Sequence, residues 1–156
     1  MVLENRFNKL IEARHGTILY NKNDIYIGKS IEKYGEFSYL EAKIFEQICK
    51  DGDVVIEVGA NIGAHTLYLS KLVGNGYVFA FEPQRLVFQN LCANLALNSI
   101  SNVFAYQEAV SNENGTIIIP ECNFKENNNF GGINIENTKN GTTVNKQKLD
   151  NFLNKI

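Results

Sequence analysis

The sequence predicts an α/β fold built on a parallel sheet, and three observations carry that reading. A β-branched apolar run, Val54-Val55-Ile56 with Val58, ends in a glycine-bearing turn from Gly59 to Gly63. A second apolar run, Tyr77-Val78-Phe79-Ala80-Phe81, ends on Glu82-Pro83. Helical spacing follows each of these strands, so strands and helices alternate.

Taken in order, residues 1–35 form a lead: a short helix, then a hairpin. Its strands are Thr17-Ile18-Leu19-Tyr20 and Ile25-Tyr26-Ile27, turning at Asn21-Lys22-Asn23-Asp24. Tyr34-Gly35-Glu36-Phe37 opens a helix that carries Leu40, Ile44, Phe45 and Ile48. Lys50-Asp51-Gly52-Asp53 turns the chain into the strand at 54–58, whose composition suits burial on both faces. From Ala64, Leu67, Leu69, Leu72 and Val73 repeat at roughly helical spacing, and Gly74 is the stop. After the strand at 77–81, Pro83 is placed in the first turn of a helix through Leu86, Val87, Leu91, Ala93 and Leu95. A third strand is expected at 103–107. Thr116 to Ile119 reads as a further strand stopped by Pro120. Asn127 to Gly132 reads as a polar, mobile loop. Ile133 and Ile135 are expected to pair with Thr142, Thr143 and Val144 around Lys139-Asn140-Gly141. Asp150 is expected to cap a last helix, Asp150-Asn151-Phe152-Leu153. The division is thus one domain over 1–156, with a lead (1–35), an α/β core (36–111) and a hairpin-and-loop region (112–156).

The glycine turn carries the chemistry. A dinucleotide fingerprint places a bare glycine where a pyrophosphate meets the backbone. Here that position is Asn61, and Glu57 precedes the turn, so an anionic ligand is disfavoured. A cationic ligand without phosphate, S-adenosylmethionine, suits a glycine turn beside a carboxylate. Glu82 follows Gly63 at close to the spacing of about 20 residues expected for an acid that binds ribose hydroxyls. His65 is a candidate base or contact, though a polar residue at a helix start is its simpler role. His15, in the lead, is a weaker candidate for the same role, and Tyr34 and Glu36 are candidates to line the cofactor pocket where the lead folds over it. No Ser/His/Asp order, metal-ligand cluster or phosphate-cradling lysine loop is present, so the catalytic residue is left unassigned.

Lysine plus arginine number 15 against 17 acids, a net charge of −2, which gives no footprint for nucleic acid. No apolar run reaches the length of a spanning helix, and Met1 to Ile11 lacks the apolar core of a secretory signal. Cys49, Cys92 and Cys122 are odd in number and scattered, which points to a reducing, cytoplasmic setting.

Several segments together resemble the FkbM family of S-adenosylmethionine-dependent methyltransferases. They are Asp53 to Gly63, Phe81-Glu82-Pro83, Gln107-Glu108-Ala109-Val110-Ser111 and Lys148-Leu149-Asp150. The resemblance implies a Rossmann-like class I methyltransferase fold that moves a methyl group to an oxygen of a small molecule, sugar or lipid. It implies that Glu57, Gly59, Ala60, Asn61 and Gly63 hold the methionine end of the cofactor, Glu82 the ribose, and that Glu108 lies near the adenine. Family members continue past the Leu-Asp helix into a strand with an Asp-Val-Glu-Gly-like signature. The sequence stops at Ile156, so the resemblance implies the N-terminal half of the usual sheet, with an open edge at Val54–Val58. A second copy or a complementary chain is the expected cover for that edge. Two other readings stand beside this one: an inactive relic or subunit of a split enzyme, and an NAD-binding oxidoreductase domain, which Asn61 opposes.

Overall fold

A computed structural model describes residues 3–135 and 138–154. In chain order the elements are β1 (Leu3–Glu4), β2 (Asn8–Ala13), β3 (Gly16–Asn21), α1 (Ile27–Tyr34), α2 (Tyr39–Ile48), β4 (Val54–Val58), α3 (Thr66–Leu72), β5 (Tyr77–Phe81), α4 (Arg85–Leu97), β6 (Val103–Tyr106), β7 (Ala109–Ser111), β8 (Gly115–Ile119), β9 (Thr142–Lys148) and α5 (Leu149–Leu153). The central sheet has the order β4-β5-β6 with every pair parallel, as the alternation of strands and helices requires.

Register divides the central sheet into two faces. Ile56, Phe79 and Phe104 align across the strands, as do Val58, Phe81 and Tyr106. On the opposite face Val78 and Ala80 are fully buried, under Leu69 of α3, Val73 at its C-cap and Leu91 of α4. The aromatic face is covered by α5 through Phe152, whose ring meets Phe79, Phe81 and Tyr106 at 5.1–5.4 Å. β4 is an edge strand, and Val54 and Val58 are exposed along it.

The lead departs from expectation. The N-terminal stretch is not helical: β1 and β2 pair antiparallel, and β2 pairs with β3 in the register Leu10↔Leu19 and Ile11↔Ile18. The turn of that hairpin is at Arg14-His15, and Ile25-Tyr26-Ile27 leads into α1 instead of forming a strand. Asp24 accepts the Tyr26 amide at 3.0 Å, and Ile27 and Ile31 then bury one helical turn apart.

The region after β6 is also rearranged. The third strand ends at Tyr106, and a short β7 follows it. β9 lies between β7, to which it is parallel, and β8, to which it is antiparallel. Ile133 and Ile135 belong to no strand, so the expected pairing around Asn140-Gly141 is replaced by a β8–β9 pairing. The polar loop is not free. Asn128 exchanges backbone hydrogen bonds with Asn23 and Ile25, Gln84 Nε2 donates to Phe130 O at 2.8 Å, and Phe130 is buried against Phe124. Pro83 precedes α4, whose N-cap is Gln84. Asp150 lies inside the first turn of α5, while the N-cap is Lys148.

Candidate functional site

The glycine turn joins the C-terminal end of β4 to α3. Gly59 and Ala60 both donate their amides to Phe81 O at 2.9 Å, which ties the turn to the end of β5. Gly59 has φ +77°, and a Cβ built there would meet nothing within 4 Å. The backbone therefore bends through the left-handed region with open space in front of it. Gly63, at φ +85°, is needed for packing: its Cβ would lie 2.7 Å from Leu91 Cδ1. Asn61 sits between them at φ +51°, its side-chain oxygen accepting the Ile62 amide at 2.8 Å. Short polar side chains tolerate this conformation by such local bonds.

Two carboxylates flank the turn. Glu57 is half-buried, and Thr66 Oγ1 donates to its Oε2 at 2.6 Å. Burial, opposed by that hydrogen bond and assisted by the neighbouring Glu82, raises its pKa to about 7. Glu82 is buried, accepts the Asn61 amide at 2.9 Å and the Gln84 amide at 2.8 Å, and is likewise raised by burial. Among the described residues no lysine, arginine or histidine forms an ion pair with either acid.

The expected site residues Glu57, Gly59, Ala60, Asn61, Gly63 and Glu82 thus gather at the C-terminal ends of β4 and β5. Ligands of open α/β sheets bind at that end. Glu108 lies two residues past β6, beside Tyr106 and Phe152 in a surface recess, and is hydrogen-bonded to Gln147. His65 occupies the N-cap of α3 without capping it. Its Nε2 lies 3.3 Å from Phe37 O and 3.4 Å from Glu41 Oε2, and the ring sits against Phe37 and Phe45. Together with Glu57 and Gly59 it lines a groove of about 490 Å³ along β4. Tyr34 is exposed, with Lys33 over its ring. The Glu36 carboxylate is held by Arg14 Nε at 2.9 Å and faces His15 at 3.7 Å, so it serves the lead.

Sequence reasoning missed Thr66, which orients Glu57, and Asn94, which is fully buried and donates to Ile62 O of the turn at 2.7 Å. A polar residue on the apolar face of a predicted helix was the available signal for Asn94.

No family model matches this chain. It is similar to Methyltransferase sdnD of Sordaria araneosa, 33% identical over 89 residues, which are 53% of this chain and 34% of that protein. It is also similar to Methyltransferase 1 of Beauveria bassiana, 27% identical over 90 residues, 54% of this chain and 36% of that protein. The chain spans about a third of the length of these curated relatives. Among solved structures, M. jannaschii TYW2, crystallised with AdoMet, superposes with a TM-score of 0.53 at 18% identity, over 70% of this chain and 53% of that one. At that identity the likeness establishes the fold, a Rossmann-like α/β arrangement.

Proposed function

We propose that this chain carries the cofactor half of an S-adenosylmethionine-dependent methyltransferase. The observation that carries the proposal is the open glycine turn between two carboxylates that have no cationic partner among the described residues. The residues fit the cofactor chemically. Glu57 offers a negative charge to an ammonium or sulfonium group, Gly59 leaves space at the backbone, and Glu82 keeps one lone pair on each oxygen for hydroxyl donors. When bound, the cofactor supplies an electrophilic methyl group on sulfur. The chain's own part is to bind and orient, because proximity and alignment account for most of what such a transfer needs. The similar methyltransferases support the class of reaction.

The narrower reading is O-methylation of a small molecule, sugar or lipid by an FkbM-type enzyme, supported by the ordered motifs alone. Glu108 near the adenine belongs to the same reading, as does a cytoplasmic setting. No helix among the described residues is long and apolar enough to cross a membrane. A second reading is a subunit or inactive relic that needs another chain; among the described residues β4 is an edge strand beside the site.

Calorimetric titration with S-adenosylhomocysteine, with NAD as control, tests the proposal. Saturable binding of the first and none of the second is expected. Glu82→Ala should weaken that binding by about 1–3 kcal/mol through lost charge-assisted hydrogen bonds. Binding of NAD in its place would assign the site to a dehydrogenase-type domain.

A further inference from the structure

α4 starts without a side-chain cap. Its N-cap residue, Gln84, lies in extended backbone at φ −73° and ψ 114° and makes no capping bond, and the first turn carries no acid. A serine, threonine, aspartate or asparagine at that position ordinarily satisfies an amide of the turn. The Gln84 side chain is engaged elsewhere: its Nε2 donates to Phe130 O at 2.8 Å. The main-chain amide of the same residue donates to Glu82 Oε1 at 2.8 Å. Pro83 stands between them with no N–H and a restricted φ, so carboxylate and amide are joined by a stiff link.

These bonds belong to a closed circuit around Glu82. The Asn61 amide holds Oε2 at 2.9 Å, the Gln84 amide holds Oε1, and the Gln84 side chain reaches Phe130. Gly131 then brings the chain back to Asn61. A Cβ on Gly131 would lie 3.3 Å from Asn61 Nδ2 and 3.2 Å from Ile27 Cδ1, closer than ordinary contact. Phe130 is buried and stacked on Phe124, and other hydrogen bonds tie residues 124–128 to Asn21, Asn23 and Ile25 of the lead. A carboxylate held by two main-chain amides is only as steady as the segments that carry them. Asn61 is steadied by its own side chain on the Ile62 amide and by its neighbours Gly59 and Ala60 on Phe81 O. For Gln84 the corresponding tie is its bond to Phe130.

We propose that Gln84 is a positioning residue of the cofactor site: its two hydrogen bonds aim the Glu82 carboxylate at the ribose hydroxyls and set the 129–132 turn as a wall beside Asn61. This rests on the cofactor reading above. Each Glu82 oxygen already accepts one amide and keeps one lone pair, so its remaining capacity is offered in a set direction. Two adjacent hydroxyls of a ribose match that pair of oxygens. A sugar that lacks one hydroxyl leaves a buried acceptor unpaired, which is the basis of strong discrimination. Gln84 therefore contributes selectivity for a ribonucleoside over a deoxyribonucleoside, and not affinity alone.

Calorimetric titration with S-adenosylhomocysteine and with its 2′-deoxyribose counterpart tests this on the wild type, Gln84→Met and Gln84→Lys. Gln84 is half-buried, and every variant keeps the main-chain amide on Glu82. Methionine keeps the reach of the side chain without a donor, and lysine restores a donor. The wild type is expected to prefer the ribose ligand. That preference should fall about five- to tenfold in Gln84→Met and recover in Gln84→Lys. Leu97→Lys, in the apolar groove between α4 and β3, should leave the preference at its wild-type value. A merely structural defect weakens both ligands alike. Equal weakening or no change in Gln84→Met, no recovery in Gln84→Lys, an equal fall in Leu97→Lys, or a wild type that binds both ligands equally overturns the proposal and leaves the cofactor reading in place. A folded wild type that binds neither ligand overturns both.

Discussion

Glu57 is a half-buried carboxylate with one hydroxyl donor, a second acid nearby and a pKa of about 7. Near neutrality it therefore exchanges between a protonated form and an ionised one. A cationic ligand favours the ionised form, so binding releases a proton. Affinity for S-adenosylmethionine is expected to rise between about pH 6 and about pH 8, and titrations in buffers of different ionisation enthalpy should register the released proton. Glu57→Gln should flatten that dependence. For stability the sign is opposite. The folded state holds the Glu57 proton above the pH at which the unfolded state loses it, so this residue's contribution is present at low pH. It is lost as pH rises through about 7. His15, lowered mainly by desolvation, contributes with the reverse sign, so the comparison between wild type and Glu57→Gln isolates the carboxylate. An affinity that is flat with pH in the wild type would remove Glu57 from the site. The acids and glycines at this scale were legible because their spacing on successive strand ends is a chain-local property. The Thr66 hydroxyl was not, since a threonine in a first helical turn has many uses.

At the level of elements, the joint between the lead and the core is made by two asparagines, Asn94 in α4 and Asn98 at its C-cap. Asn94 Oδ1 accepts the Leu19 amide at 2.6 Å and its Nδ2 donates to Leu19 O at 3.0 Å. One turn later Asn98 does the same for Thr17, accepting its amide at 2.9 Å and donating to its carbonyl at 2.7 Å. Thr17 and Leu19 are the outward-facing positions on the free edge of β3. The helix thus closes that edge as a paired strand would. Asn94 also donates to Ile62 O, linking the joint to the glycine turn. Asn94→Leu keeps the branched shape and the number of heavy atoms but leaves several buried backbone groups unpaired. We expect a loss of about 2–4 kcal/mol in denaturant unfolding. A change below about 0.5 kcal/mol, the range of ordinary surface substitutions, would contradict this account of the joint. The three central strands and their helices were legible because a buried parallel sheet writes long apolar runs into the sequence. The lead was misread for a physical reason. Ile25-Tyr26-Ile27 has strand-like composition, but Asp24 starts a turn there, and Gly28 packs where a Cβ would lie 2.7 Å from Asn21 O. The loop at 127–132 was misread because polar composition suggests mobility, whereas Phe130, stacked on Phe124, anchors it to the core.

For the whole molecule, one apolar cluster joins the lead, the glycine turn, the sheet and the loop. It includes Ile18 and Tyr20, Ile31, Ile62 and Leu67, Ala80, Leu91 and Phe130. The cofactor end of the sheet is therefore buttressed from the lead side, while the opposite side, at β4, is open. The open edge was anticipated from the resemblance. The exposed apolar stripe of Leu40, Ile44 and Ile48 on α2 was not, because its exposure depends on which helical face the sheet takes. The central claim is that the ends of β4 and β5 form a site for S-adenosylmethionine or its demethylated product. An amide chemical-shift map of the labelled chain titrated with S-adenosylhomocysteine tests it most directly. The account predicts saturable shifts at Gly59, Ala60, Asn61, Gly63 and Glu82, extending to Glu108. Shifts confined to other surfaces, such as the groove at Leu97, or no shifts in a folded chain, would contradict it.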